Sequence, residues 1–358
     1  MFRQRLVPFS YPLHYLQLQH FRSKAALESL ARASEDRTPN LVLYNYPSFS
    51  GAFAALFAHL YHSRLHQLCL VLPFSSVEPL RVRDLDVEAL RTCYLLDFVG
   101  PKGFAVDLSR SIDRVLAFDH RRSTLSKVDS PEERPENLEF RVDVEKSSSV
   151  SVFEYFCSKF DEAVSDKGEV GGLLEQEDRD RIVAVLRYIE DEDLRRRSLP
   201  DIRRFNVGLR ELRSQLNCIT NPYMFDQLLK ICTVDIIAKG DSYISSRQEA
   251  ANEVLDKVKV FKVRLGRGLY GECLGLRIDG FSNLSDEIGK ELSVRSAAAG
   301  LRPIGAVIYL QRKDLKMCLR SLDNDIDTSE VAKAYGGGGS CSSSSFIIRM
   351  GEYNKWVY

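Results

Sequence analysis

The first half of the chain contains short apolar runs at residues 41–44, 68–72, 93–96 and 115–118, each bounded by polar or turn residues. Runs this short and this uniformly apolar are typical of strands that are buried on both faces of a parallel sheet. Segments of helical composition lie between them, so strands and helices alternate along the chain. This alternation predicts a doubly wound α/β domain.

The chain has 358 residues, which is too many for one ordinary core, so we expect two domains. Residues 175–257 are mostly of helical composition. Further on, a helical segment near residues 283–297 interrupts strand-like runs, which lie near 259–264, 272–278, 304–310 and 316–320. The sequence therefore predicts an α/β protein with a doubly wound parallel-sheet N-terminal domain, a helical connector and a smaller α/β C-terminal domain. The expected divisions are an N-terminal extension, the first domain with its connector, and the second domain, at 1–38, 39–250 and 251–358.

The 50 basic and 50 acidic side chains cancel, so no overall field draws the protein to nucleic acid or to a membrane, and an anion site must be local. The eight cysteines include no C-x-x-C pair, which favours reduced, mostly buried thiols. No apolar run approaches the roughly 20 residues that cross a bilayer, so we expect no membrane partner.

The first 27 residues carry four Lys or Arg side chains and no acidic one. This pattern resembles an organelle presequence, although serine is scarce and two prolines interrupt it. A plain N-terminal extension is the alternative. The expected location is cytoplasmic, with the mitochondrion or plastid as the alternative.

Polar residues that suit a divalent metal follow two of the predicted strands. Asp97 follows the third strand, and Asp119 and His120 follow the apolar part of the fourth. In open α/β sheets, ligands bind outside the carboxyl ends of the strands. Carboxylates and imidazole are suitable ligands for an ion such as Mn²⁺. The alternative is that the two aspartates only cap the helices that follow them.

Four consecutive glycines, residues 336–339, lie near the C-terminus and are followed by Ser340. Backbone N–H groups without side chains in front of them can surround an anion closely, because glycine adopts backbone angles that other residues avoid. The run therefore predicts a phosphate-binding loop.

Taken together, these motifs resemble the DHH phosphoesterase superfamily with its DHH-associated C-terminal domain, most closely the plant-type branch. The resemblance runs from residue 41 to the C-terminus and rests on residues 95–101, the Asp119-His120 step, the Arg320-Ser321 pair and the glycine run. In that family two Mn²⁺ ions activate water against a phosphodiester, in short oligonucleotides, cyclic dinucleotides or nucleotide-like phosphoesters. The resemblance implies that Asp119 and His120 are catalytic. It also implies substrate-binding residues: Arg320, Ser321, Gly337, Gly338 and Gly339.

The sequence departs from the family pattern at four positions. The first motif normally supplies two metal ligands, which are here Asn45 and Ser50; the second histidine of Asp-His-His is Arg121, and the histidine after the glycines is Ser340. Asn and Ser are weak ligands for Mn²⁺, and Arg places a permanent positive charge where a cation should bind. The remaining ligand candidates are Asp97, Asp119, His120 and Asp191.

These losses favour a pseudoenzyme with a degenerate site that holds at most one Mn²⁺ and in which Arg121 can hold a phosphate directly. Such a protein would bind a nucleotide or a short oligonucleotide, with weak or no hydrolysis. Two alternatives stay open. One is an active metal-dependent phosphodiesterase that uses the four remaining ligands, and the other is a structural or assembly protein that reuses the fold.

Two further patterns each have two interpretations. Residues 266–271 match G-x-G-x-x-G, but a strand-like segment follows them, which favours a glycine hairpin over a dinucleotide site. The arginine-rich stretch at 195–213 suits a nucleic-acid groove, whereas a solvated helix face is the favoured interpretation.

Overall fold

A computed structural model describes residues 23–77, 79–128, 135–166, 171–323 and 325–357. The presequence interpretation concerns mainly residues 1–22, which lie outside the described residues. The chain divides into two compact units, Met1–Gly240 and Asp241–Tyr358. No helix in the described ranges is both long and apolar enough to cross a membrane.

The first unit is built on a five-stranded parallel sheet with the strand order β2-β1-β3-β4-β5. The four strands predicted from apolar runs are present. The fifth was not predicted, because it is only partly buried and carries charged residues between its apolar ones. The strands are β1 (Asn40–Asn45), β2 (Cys69–Phe74), β3 (Thr92–Leu96), β4 (Arg114–Asp119) and β5 (Leu138–Val142).

Helices cover both faces of this sheet. They are α1 (Lys24–Glu35), α2 (Phe49–Arg64), α3 (Phe104–Ser109), α4 (Arg122–Val128), α5 (Ser148–Ser165) and α6 (Gln176–Asp193). Alternate residues of β1 belong to different cores. Val42 and Tyr44 belong to the core that contains α2, α5 and α6, whereas Leu41 and Leu43 belong to the core that contains α1 and α3. The doubly wound prediction is therefore confirmed, and burial on both faces explains the continuous apolar runs.

Three further helices follow α6, as the composition predicts: α7 (Ile202–Arg210), α8 (Met224–Leu229) and α9 (Thr233–Lys257). Two glycines let the backbones of α7 and α9 touch. A Cβ on Gly208 would lie 2.1 Å from the carbonyl oxygen of Ile236, and a Cβ on Gly240 would lie 1.9 Å from that of Arg204. No side chain fits between the two helices here, so the contact fixes the position of α7 against α9.

The second unit contains a six-stranded mixed sheet with the order β10-β11-β9-β8-β7-β6. Its strands are β6 (Phe261–Arg264), β7 (Glu272–Arg277), β8 (Gly305–Gln311), β9 (Asp314–Arg320), β10 (Gly338–Ser340) and β11 (Ser343–Ile348). Its helices are α10 (Ser285–Ala298), α11 (Thr328–Ala334) and α12 (Met350–Tyr353). The four predicted strands and the predicted helix are present. The G-x-G-x-x-G segment joins β6 to β7, which pair antiparallel, so the hairpin interpretation is confirmed.

The α7–α9 contact gives a stability prediction. Gly240→Ala should lower the free energy of unfolding by about 2 kcal/mol or more, because its new methyl group meets backbone that cannot move aside. Urea denaturation followed by circular dichroism measures the loss. Gly171→Ala is the control in the same unit, since no atom lies within 4 Å of the added Cβ. Equal stability of the two variants would contradict the close approach.

Candidate functional site

Three of the predicted ligands come together at the carboxyl ends of β3 and β4. Asp97, Asp119 and His120 are all buried, and each offers a ligand atom such that these atoms lie within 4.8 Å of one another. The adjacency of β3 and β4 produces this arrangement, because parallel neighbours end at the same edge of a sheet. The three residues, called here the acidic cluster, are a possible metal-binding group.

The guanidinium of Arg121 bridges the two carboxylates of the acidic cluster. Its Nη1 atom lies 2.6 Å from Oδ1 of Asp119 and 2.7 Å from the main-chain oxygen of Asp97. Its Nη2 atom lies 3.2 Å from Oδ1 of Asp97. One cation therefore contacts both aspartates.

Asp97 is completely buried, and both of its carboxylate oxygens accept hydrogen bonds. Asn45 Nδ2 and Ser48 Oγ donate to Oδ2 over 2.9 and 2.6 Å, and His120 Nδ1 lies 3.3 Å from Oδ1. Burial by itself would raise the pKa of Asp97, but the bond from His120, the charge of Arg121 and the bond from Ser48 lower it below the ordinary value. Asp97 is therefore an ionised carboxylate held by fixed donors.

Asp119 is held in the same way. Its Oδ1 atom accepts the backbone N–H of His120 at 2.8 Å, and its Oδ2 atom accepts the hydroxyl of Thr124 at 2.5 Å. Thr124 lies in the first turn of α4, so Asp119 does fasten the start of that helix. Asp97 does not cap α3, whose N-cap is Gly103. All four carboxylate oxygens of the two aspartates thus have a donor.

The two positions where the family pattern expects further ligands carry hydrogen bonds between elements. Asn45 donates to Asp97, and Ser50 Oγ accepts the backbone N–H of Ser149 at the start of α5 over 3.0 Å. Each residue therefore joins one segment of the fold to another at the edge of the acidic cluster.

Asp191, predicted as the fourth ligand, is held elsewhere. Its carboxylate accepts the N–H of Ser198 at 3.0 Å, the hydroxyl of Ser198 at 2.7 Å and the N–H of Leu199 at 3.4 Å. Although its burial opposes ionisation, these bonds lower the pKa of Asp191. The structure does not bring Asp191 into the acidic cluster, because its carboxylate fastens the loop that follows α6.

Asp193 is the carboxylate of α6 that lies beside the acidic cluster, and the sequence analysis missed it. Burial and the nearby charge of Asp97 raise the pKa of Asp193 to about 7, although His120 opposes this shift. Among the described residues, no group bonds to its Oδ2 atom.

The signal for Asp193 is present in the sequence as helical spacing. The buried apolar residues of α6 are Ile182, Val185, Leu186 and Ile189, and the same period continues to position 193. Burial of an acidic side chain on the inner face of a helix costs free energy unless a polar or charged partner offsets it, so such a position indicates a polar site.

The predicted substrate-binding pair of the second unit has partners within that unit. Arg320 Nε lies 2.8 Å from Asp286 Oδ1, and the arginine side chain is only 13% exposed. The hydroxyl of Ser321 donates to the carbonyl oxygen of Pro303 at 2.8 Å. Both side chains thus contribute to the packing of the unit.

The glycine run also has a packing role. The N–H groups of Gly336 and Gly337 donate to carbonyl oxygens of the last turn of α11, and Gly338, Gly339 and Ser340 form the edge strand β10. A Cβ on Gly337 or Gly339 would lie 2.2 or 2.3 Å from a carbonyl oxygen of β11. Close approach of two strands therefore explains why side chains are absent at these two positions.

No family model matches the sequence, and no curated protein matches it. Solved structures to which the chain is similar include the DHH domain of a member of a family of ribosomal proteins (14% identity, 94% of this chain and 90% of that one, TM-score 0.41). Others are RecJ from Thermus thermophilus in complex with Mn²⁺ (15%, 92% and 53%, TM-score 0.34) and an exopolyphosphatase-related protein from Bacteroides fragilis (14%, 93% and 94%, TM-score 0.35).

The raised pKa values at the site predict a pH-dependent stability. Burial opposes the cation of His120, but Asp97 and Asp193 outweigh it and raise the pKa of His120. Asp193 has a raised pKa as well, so both groups bind protons more tightly in the folded chain than in the unfolded one. The contribution of these two groups to the free energy of unfolding should therefore fall as the pH rises, for Asp193 between about pH 4 and about pH 7.

Asp193→Asn should remove its own share of this fall, about 2 kcal/mol or more across that window. Urea denaturation at a series of pH values measures it. Asp180→Asn, an exposed position on the same helix, is the control and should keep the profile of the unmodified chain. A profile for Asp193→Asn that parallels that of the unmodified chain would contradict the assignment.

Proposed function

We propose that the chain is a DHH-type phosphoesterase homologue with a degenerate metal site, which binds a nucleotide or a short oligonucleotide with weak or no hydrolysis. The observation that carries the proposal is the guanidinium of Arg121, which bridges Asp97 and Asp119. Arg121 thus places a permanent positive charge beside the two carboxylates that would otherwise attract a divalent ion.

The charge balance of the site supports this proposal. Arg121 offsets the charges of Asp97 and Asp119 without a metal. The neighbouring His120, whose pKa is raised by Asp97 and Asp193 against the effect of burial, adds to this balance. A Mn²⁺ ion would add two positive charges beside the guanidinium and would have to displace donors from buried carboxylates. The donor set therefore does not fit a metal while Arg121 is in place, and we assign no catalytic step to Mn²⁺.

The same arrangement argues against two-metal hydrolysis. Two adjacent divalent ions stabilise the attacking and leaving oxygens only where several carboxylates offset their charge. The positions that the resemblance assigns to further ligands are the neutral Asn45 and Ser50, and Asp191 is bonded to the loop after α6. The loss of these metal ligands removes the means of two-metal hydrolysis, but it does not prevent the binding of a phosphate-bearing ligand.

The class of ligand is taken from the resemblance to the DHH phosphoesterase superfamily, whose members act on nucleotides and short oligonucleotides. A structural or assembly role is the competing proposal, and it predicts no binding of either. Thermal-shift measurements with dinucleotides and nucleoside monophosphates separate the two, since only the first proposal expects stabilisation.

The metal argument gives a prediction for Arg121→Ala. The variant leaves two buried carboxylates without their shared cation, so its free energy of unfolding should be lower by about 2–3 kcal/mol. Mn²⁺ should then restore stability to the variant and leave the unmodified chain unchanged, because a ligand stabilises only the state that binds it. Thermal unfolding with and without millimolar Mn²⁺ measures both effects.

Arg122→Ala, at the adjacent position on α4, is the control for this experiment and should behave as the unmodified chain does. Stabilisation of the unmodified chain by Mn²⁺, together with Mn²⁺-dependent hydrolysis of a dinucleotide, would overturn the proposal in favour of an active phosphodiesterase.

A further inference from the structure

A cavity of about 330 Å³ opens in the first unit beside the acidic cluster. Its wall is formed by the turn after β1, the last turns of α6, and α7 with the residues just after it. Two lining residues, Asn45 and Ser48, are the ones that donate hydrogen bonds to Asp97. The cavity and the acidic cluster thus share a wall at the carboxyl end of β1, where open parallel sheets bind their ligands.

Two arginines line this cavity without partners of their own. Arg210 is the last residue of α7, Arg213 follows three residues later, and both are exposed. Within the described ranges, neither side chain makes an ion pair or a hydrogen bond. Arg121 and Arg320, in contrast, are bonded to aspartates. Two guanidinium groups with all their donors free favour a phosphate, whose oxygens accept several such bonds at once.

The rest of the cavity wall is not suited to a bare anion. Glu192 and Asp193 also line it, and their carboxylates repel phosphate but accept hydrogen bonds from hydroxyl or amino groups. Phe49, Ile189 and Leu209 supply apolar surface. A ligand that satisfies the whole wall carries a phosphate at one end, hydrogen-bond donors and a flat apolar group.

We infer that this cavity binds one nucleoside monophosphate, free or as the terminal nucleotide of a short oligonucleotide, with its phosphate on Arg210 and Arg213. The inference rests on the proposed function for the class of ligand and adds the residues that recognise it. The volume lies at the low end of the range of about 300–1,000 Å³ for small-molecule sites, which suits a single nucleotide. The close contact of α7 with α9 holds Arg210 on a fixed helix, and such support favours a defined site.

Isothermal titration calorimetry on the full chain tests the inference, with AMP, GMP, CMP and UMP as ligands and with adenosine and inorganic phosphate for comparison. We expect at least one monophosphate to bind, and adenosine and phosphate to bind about tenfold more weakly or worse. Arg210→Ala with Arg213→Ala should weaken binding of that monophosphate about tenfold or more, because charge-assisted hydrogen bonds are lost. Arg203→Ala, exposed on the same helix but outside the cavity wall, is the matched control and should bind as the unmodified chain does.

The outcomes separate this inference from the proposed function. Binding that the double variant retains in full, or that Arg203→Ala weakens equally, would overturn the cavity assignment and leave the proposed function standing. No binding of any nucleotide would overturn both. Hydrolysis that requires Mn²⁺, combined with loss of binding in the double variant, would support the cavity and overturn the proposed function. Thermal unfolding of the double variant verifies that it is folded, as expected for two exposed side chains.

Discussion

The ion pairs of Arg121 with Asp97 and Asp119 are the interactions on which the site depends. Two buried carboxylates at the ends of neighbouring strands repel each other and lose the stabilisation that water gave them. One side chain, from the residue next to His120, offsets both charges and also binds the main-chain oxygen of Asp97. Together with neighbouring serine, threonine and asparagine side chains, Arg121 gives every carboxylate oxygen of these two aspartates a donor from the chain itself.

The topology of the sheet explains why these groups meet. Because β1 lies between β2 and β3, the chain must pass over β1 to begin β3, and the carboxyl ends of β1 and β3 flank the point where the winding reverses. Asn45 ends β1, Asp97 follows β3, and their side chains lie 2.9 Å apart across this point. The first turn of α2 adds Ser50, which connects the same region to α5. The polar groups at the site therefore also join the helices to the sheet.

Much of the fold could be predicted from the sequence, because strands that are buried on both faces leave uninterrupted apolar runs. The edge strand β5 leaves no such run, since Glu139 and Arg141 alternate with its apolar residues, and it was missed. The grouping of Asp97, Asp119 and His120 could also be predicted, since parallel strands deliver their ends to one edge. The run of four acidic residues at 190–193 did not by itself show that Asp193, rather than Asp191, lies beside the acidic cluster, because that distinction depends on the spacing of the buried residues of α6. Ser48, which bonds to Asp97, lies in a turn, and Ser148, whose hydroxyl lies 2.9 Å from His120 Nδ1, lies at a helix start, where only three-dimensional contact shows such a role.

An arginine at a motif position is not always free to bind a ligand, and the arginines of this protein show the difference. Arg320 and Arg121 stand at positions that a family pattern marks for substrate or metal, yet each is bonded to aspartates within its own unit. Arg210 and Arg213 belong only to the arginine-rich stretch at 195–213, but they line a cavity, and neither has a partner among the described residues. Binding an anion requires desolvation of the cation in either case. A paired arginine must in addition break its existing bonds, so it binds a new phosphate less favourably than a free one does. On this argument the proposed phosphate contact belongs with the unpaired arginines of α7 and its following turn, whereas Arg121 stays paired with the two aspartates of the acidic cluster.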